Sequence, residues 1–236
     1  MIKKDIRAAE LYKTMFTVAI PIVIQNLIGN SLTIVDTVMI SSLGEASVAA
    51  VGIAGRLQFL FVLITFGFYS GAGIFMAQYF GSRNFERMRV TMALQLVLGI
   101  MSSAVFMTVA LVFPRWYMSI FSKDPQVIEL GIGYLKYLGW GFGMHAISYA
   151  YIVSLRSIRD SLYPMYVSAI ALIANTVLNY GLIFGNFGLP QLGVEGAAIA
   201  TTISRFIEAG FMIYSVYFGS RFVLRAKLED FRKIEA

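Results

Sequence analysis

Cysteine is absent from the 236 residues, and histidine occurs once. The first absence excludes a disulfide framework and a thiolate metal site, while leaving the redox compartment open. The second excludes any cluster of histidine ligands. Charge is also scarce: 14% of residues are charged, against roughly 25% in a soluble domain that must cover its surface with polar groups. A phosphate-binding Gly-Lys loop, a zinc motif and a Ser-His-Asp arrangement are missing too, so the chain is not read as an enzyme. What is abundant is apolar, with 58% of residues hydrophobic. That is more than one aqueous core can bury, and the surplus calls for a bilayer as solvent.

Six apolar stretches fall at about 15–40, 47–78, 91–113, 127–153, 164–186 and 193–219, each near the ~20 residues that cross a hydrocarbon core as a helix. Helix is the sensible conformation, because an open strand edge in lipid leaves backbone groups unsatisfied. The expected fold is therefore an all-α integral membrane protein, a bundle of six transmembrane helices. The second stretch exceeds the bilayer and is expected to tilt or to extend past the headgroups. Residues 1–14 then form a cytoplasmic N-terminal segment, 15–219 the six-helix lobe, and 220–236 a basic cytoplasmic linker or tail.

The placement of basic residues supports this count. Lys3, Lys4, Arg7 and Lys13 precede the first stretch; Arg83, Arg87 and Arg89 follow the second; Arg156 and Arg159 follow the fourth; and five more lie in the tail. The opposite side carries only Arg115 and Lys123. The positive-inside rule puts both termini in the cytoplasm. The net charge of +6 thus reports topology rather than a nucleic-acid surface. The basic, apolar N-terminus resembles a signal peptide, but no small-residue cleavage site follows at the right distance and the apolar run continues to Ile40.

An ionisable group inside a span is costly and marks a candidate site. Asp36 is one, about four residues from the outer end of the first span at ~1.5 Å per residue. It either touches water at a helix end or belongs to a site. Asn175 and Asn179 share one face of the fifth span at i, i+4 spacing, and Thr201 and Thr202 lie at a similar depth in the sixth. Together these oxygens suit an alkali cation or a proton relay; the alternative is ordinary interhelical hydrogen bonding. Arg205 and Glu208, three apart, read as a mutually neutralising pair. Arg56 reads as a counter-charge for Asp36 or as an outward-snorkelling side chain, and Lys136 can also snorkel. His145 reads as a hydrogen-bonded packing residue. Pro21 is expected to kink the first helix. Gly67, Gly71 and Gly73, with Gly193, Gly196, Ala197 and Ala200, permit close helix contact.

At these residues the sequence resembles the N-terminal lobe of the multidrug and toxic compound extrusion (MATE) transporters. The resemblance is carried by AIPIVIQNLIGNSLTIVDTVMISSLGEASVAAVGIAG, AQYFGSRN, LRSIRDSLYPM, NTVLNYGLIFG and LGVEGAAIATTISR, in that order. It implies a secondary active exporter in the cell membrane, expelling drug-like or cationic amphipathic compounds against inward sodium or proton flow. The family's acid falls on Asp36, its proline on Pro21, its polar pair on Asn175 and Asn179, and its hydroxyl on Thr201. The implied coupling ion is Na+ or H+, with a sodium site at Asp36, Asn175, Asn179 and Thr201 and no other cofactor. Some relatives carry an acid where this chain has Asn179, which leaves Asp36 as the only carboxylate of the set. Arg159 and Asp160 fall in a turn motif for which a structural role is expected.

The family has twelve helices in two lobes, and this chain has six spans with no second copy of the pattern. The implied partner is a second six-helix lobe, in the same full-length chain or another, related as a parallel repeat. The implied ligands are a small molecule and the lipid bilayer, with no nucleic acid. Two other readings stand beside efflux: a flippase for lipid-linked precursors or polysaccharide, and a non-transporting membrane scaffold.

Overall fold

The computed structural model describes residues 8–219 and 221–235, and the N-terminal Lys3, Lys4 and Arg7 lie outside them. The order along the chain is α1 (Ala8–Ser41), α2 (Glu45–Gly81), α3 (Phe85–Val112), a short α4 (Pro114–Phe121), α5 (Pro125–Ser157), α6 (Leu162–Phe184), α7 (Val194–Tyr217) and a short α8 (Leu228–Arg232). There is no strand among the described residues. The six long helices coincide with the six apolar stretches, and the protein is an all-α integral membrane bundle.

The turns are written in local chemistry. Asn84 caps α3 by accepting from Arg87 N at 3.2 Å, and Asp124 caps α5 by accepting from Gln126 N at 2.8 Å. Pro125 follows Asp124 at the first helical position, where its missing N–H is no loss. Gly185 ends α6 in the left-handed conformation (φ 76°), which a residue without Cβ adopts freely. The segment between the third and fourth stretches contains α4. Pro114 starts that helix. Tyr117 and Met118 bury one side of it, and Tyr117 Oη donates to Ile53 O at 3.0 Å.

Five of the six long helices are apolar enough to cross a membrane on composition alone; α5 is the exception. It carries Lys136, His145 and Arg156, yet at 33 residues it is ~50 Å long. Its position explains the composition. It packs against α2, α3 and α7 and buries residues on most of its circumference. A helix shielded by neighbours has less need of a lipid-compatible surface.

The core forms two clusters along the bundle. One, towards α4, gathers Phe61, Leu135, Phe142 and Ile183. The other, towards the α2–α3 turn, gathers Tyr69, Met88, Met92, Leu155 and Met212. Of the small residues singled out in α2 and α7, Gly196 makes the tightest contact: a Cβ there would stand 2.5 Å from Leu182 O. At Gly73 it would stand 3.0 Å from Val153, while Gly67 and Gly71 face open space.

The segment after α7 is folded back onto α3 rather than extended. Leu224, Ala226 and Asp230 are buried. Asp230 accepts from Lys227 N at 2.8 Å and pairs with Arg89 at 3.5 Å. Lys233 pairs with Glu86, which raises the Lys233 pKa by stabilising its charged form. Arg221 reaches Asp160 at 2.6 Å and stacks over Tyr163, so the turn containing Arg159 and Asp160 anchors this segment.

Candidate cation site and adjoining chamber

Asp36 sits on α1, Asn175 and Asn179 on α6, and Thr201 on α7, and the fold brings all four together. The i, i+4 spacing on α6 points both amides the same way, and both are fully buried. Asn179 Nδ2 donates to Asp36 Oδ1 and also to Asn175 Oδ1, the latter at 3.0 Å. Asn175 Nδ2 donates to Thr201 Oγ1 at 3.4 Å. With the Asn175 amide reversed, its nitrogen donates to Asp36 Oδ1 at 3.0 Å and its oxygen accepts from Thr201 N at 3.2 Å. Either orientation ties α1, α6 and α7 through one carboxylate.

Asn179 Oδ1 is buried and has no hydrogen-bond partner among the described residues. An orphaned amide oxygen beside a carboxylate and a hydroxyl fits a hard monovalent cation. No three His, Cys, Asp or Glu side chains gather among the described residues. A cavity of about 340 Å³ opens beside the cluster, lined in part by Asp36, Tyr134, Thr201 and Arg205.

The other candidates separate. Thr202 Oγ1 donates to Tyr137 O at 2.9 Å and joins α7 to α5, away from Asp36. Arg56 lies over Phe121 at 5.2 Å and Lys136 over Tyr137 at 5.6 Å, so both cations are held on aromatic faces. Arg205 pairs with Glu208 at 3.0 Å, as the spacing suggested. Pro21 is buried within α1, whose helix is continuous across it. His145 differs from expectation: neither ring nitrogen has a hydrogen-bond partner among the described residues. It is held by aromatic packing, stacked on Tyr149 at 5.9 Å and tilted against Phe61.

A second, larger chamber of about 720 Å³ adjoins the first and shares Thr201 and Arg205 with it. Its polar lining forms a chain that sequence reasoning missed. Arg156 Nη2 donates to Gln25 Oε1 at 2.7 Å, and Gln25 Nε2 donates to Ser168 Oγ at 2.8 Å. Ser168 Oγ donates to Glu208 Oε1 at 3.0 Å, and Ser148 Oγ donates to Glu208 Oε2 at 3.3 Å. A buried amide in an apolar run was the available signal for Gln25. Arg156 was concealed by its place among the basic turn residues.

The MatE family model matches residues 21–181, more than half of the chain. The chain is 28% identical over 212 residues to the probable multidrug resistance protein YoeA of Bacillus subtilis, covering 89% of this chain and 45% of that protein. It is 30% identical to the multidrug resistance protein NorM of Burkholderia vietnamiensis, covering 86% and 44%. Among solved structures, an outward-facing multidrug resistance MATE family transporter of the MOP superfamily aligns with TM-score 0.84 at 22% identity, covering 94% of this chain and 49% of that one. The bent form of the Vibrio cholerae MATE transporter VcmN aligns with TM-score 0.81 at 20% identity, covering 96% and 51%. The chain spans about half the length of the relatives it matches.

Proposed function

This chain belongs to the MatE family, and from that membership we propose that it forms one lobe of a secondary active exporter of drug-like compounds, driven by inward flow of sodium ions or protons. The observation that supports ion coupling is the gathering of Asn175, Asn179 and Thr201 around Asp36. An uncompensated carboxylate is costly within a membrane. A cation or proton at Asp36 removes that cost and changes what Asn179 and Asn175 must donate to. Because Asp36 and Pro21 share α1, and a proline leaves one backbone carbonyl of its helix unpaired, α1 is the element able to bend when the site fills.

The similarity to about half of each relative supports a second six-helix lobe as partner. Alternating access is then movement of one lobe against the other, with the substrate path between and within them. The lobe lies in the cell membrane with both termini in the cytoplasm, as the basic turns suggest. The work done is transport rather than catalysis.

The test has two readings. In the purified chain, sodium titration or a pH step should raise thermal stability, and Asp36→Asn should abolish that response. In cells, a transporter carrying this lobe should lose ion-driven efflux of a fluorescent drug when Asp36 is changed to Asn. Unchanged efflux in that variant would sink the assignment of Asp36.

A further inference from the structure

One face of α5 presents His145, Tyr149, Ile152 and Arg156 to the larger chamber, at spacings of four, three and four residues that place them in one helical stripe. Along it the polar groups are short of partners. Glu208 is the one carboxylate in the lining, and it is taken up by Arg205, Ser148 and Ser168. Arg156 is half-buried and is paired with no carboxylate among the described residues. Among the described residues its one hydrogen-bonded side-chain partner is the neutral amide of Gln25, and its buried Nε has none. Both ring nitrogens of His145 are buried and unpartnered too.

A half-buried guanidinium with too few partners is costly. A planar carboxylate that meets it with charge-assisted hydrogen bonds removes that cost. Along the helix from Arg156, about 10 Å to Tyr149 and about 16 Å to His145 at ~1.5 Å per residue, the stacked pair of Tyr149 and His145 offers an apolar, aromatic surface. Ring and guanidinium thus stand at a separation that one drug-sized molecule spans.

We propose that this chamber takes amphipathic carboxylates, with the acid on Arg156 and the apolar body along Tyr149 and His145. The inference rests on the exporter reading and narrows its substrate: the lining favours an anion over the cationic compounds that the sequence resemblance implies.

The test uses the whole purified chain in phosphatidylcholine nanodiscs and three fluorescent probes with one dansyl body: dansyl-aminohexanoate, its primary amide, and dansyl-cadaverine. Anisotropy titration should give the carboxylate about tenfold or more tighter binding than the amide or the amine. Equal or tighter binding of the amine overturns the proposal, as does failure of the carboxylate to bind. Arg156→Gln should remove the carboxylate's advantage while leaving the amide's affinity unchanged. A carboxylate preference that survives this change also overturns it. Because the same chemistry suits a lipid phosphate, the titration is repeated with phosphatidylglycerol in the disc. Unchanged probe affinity supports a small-molecule site, and suppression assigns Arg156 to a headgroup and overturns the proposal. The response of the same samples to sodium and pH, with Asp36→Asn as control, reports the exporter reading separately.

Discussion

At the residue scale, Asn179 is the position that sets the character of the Asp36 cluster. Its nitrogen donates to Asp36 and to Asn175, while its oxygen is orphaned. Asn179→Ala should remove a donor to the half-buried carboxylate of Asp36, lowering stability by about 1–3 kcal/mol, read as a lower thermal midpoint in detergent. Asn179→Asp should strengthen ion binding. Two carboxylates in one buried site repel unless a cation lies between them, so sodium affinity by calorimetry should rise by about tenfold. No change would mean that no cation enters here. Asp36, Asn175, Asn179 and Thr201 were legible in the sequence because a carboxylate and paired amides are anomalous in an apolar run. Gln25 and Arg156 were not. The first is one of several neutral amides in its run, beside Asn26 and Asn30, and the second sits at a helix end where basic residues are ordinary.

At the element scale, α6 and α7 are held together by backbone contact. Leu192 N donates to Leu182 O at 2.8 Å, and Gly196 packs against that same carbonyl. Since backbone cannot move aside as a flexible side chain can, Gly196→Ala should push α7 away from α6 and cost about 1–3 kcal/mol. Because α6 carries the amides and α7 carries Thr201, the same variant should also weaken sodium binding. A stable variant with unchanged binding would show that the close approach is dispensable. The segment after α7 offers a second test. Asp230 is buried and bonded, so Asp230→Ala should release α8 and speed tryptic cleavage after Arg225 and Lys227, whose side chains are exposed. Lys233→Ala should leave cleavage unchanged, since exposed ion pairs contribute little. The helices themselves were legible from apolar run length. The packing of Leu224 and Ala226 was hidden by the basic residues interleaved with them, and α4 was hidden because its apolar face is only two turns long.

At the scale of the whole molecule, α5 decides the topology. Composition alone leaves it below the other five long helices, while its length and its central packing make it the sixth span. If it did not cross, the turns before and after it would lie on one side and the alternation of basic residues would fail. The absence of cysteine makes this directly measurable, since any cysteine introduced is the only one in the chain. Four exposed positions flank the relevant spans: Ser42 after α1, Ser82 after α2, Gln126 at the start of α5 and Arg159 after it. Single cysteines at Ser42 and Gln126 should react with a membrane-impermeant maleimide added to intact cells. Those at Ser82 and Arg159 should react only after permeabilisation. Labelling of Gln126→Cys and Arg159→Cys from the same side would remove α5 from the membrane. It would also reverse the side on which α6 and α7 begin, and would place Asn179 and Thr201 at different depths from Asp36. The hydrogen bonds that join these residues require a common depth, so the labelling pattern and the Asp36 cluster stand or fall together.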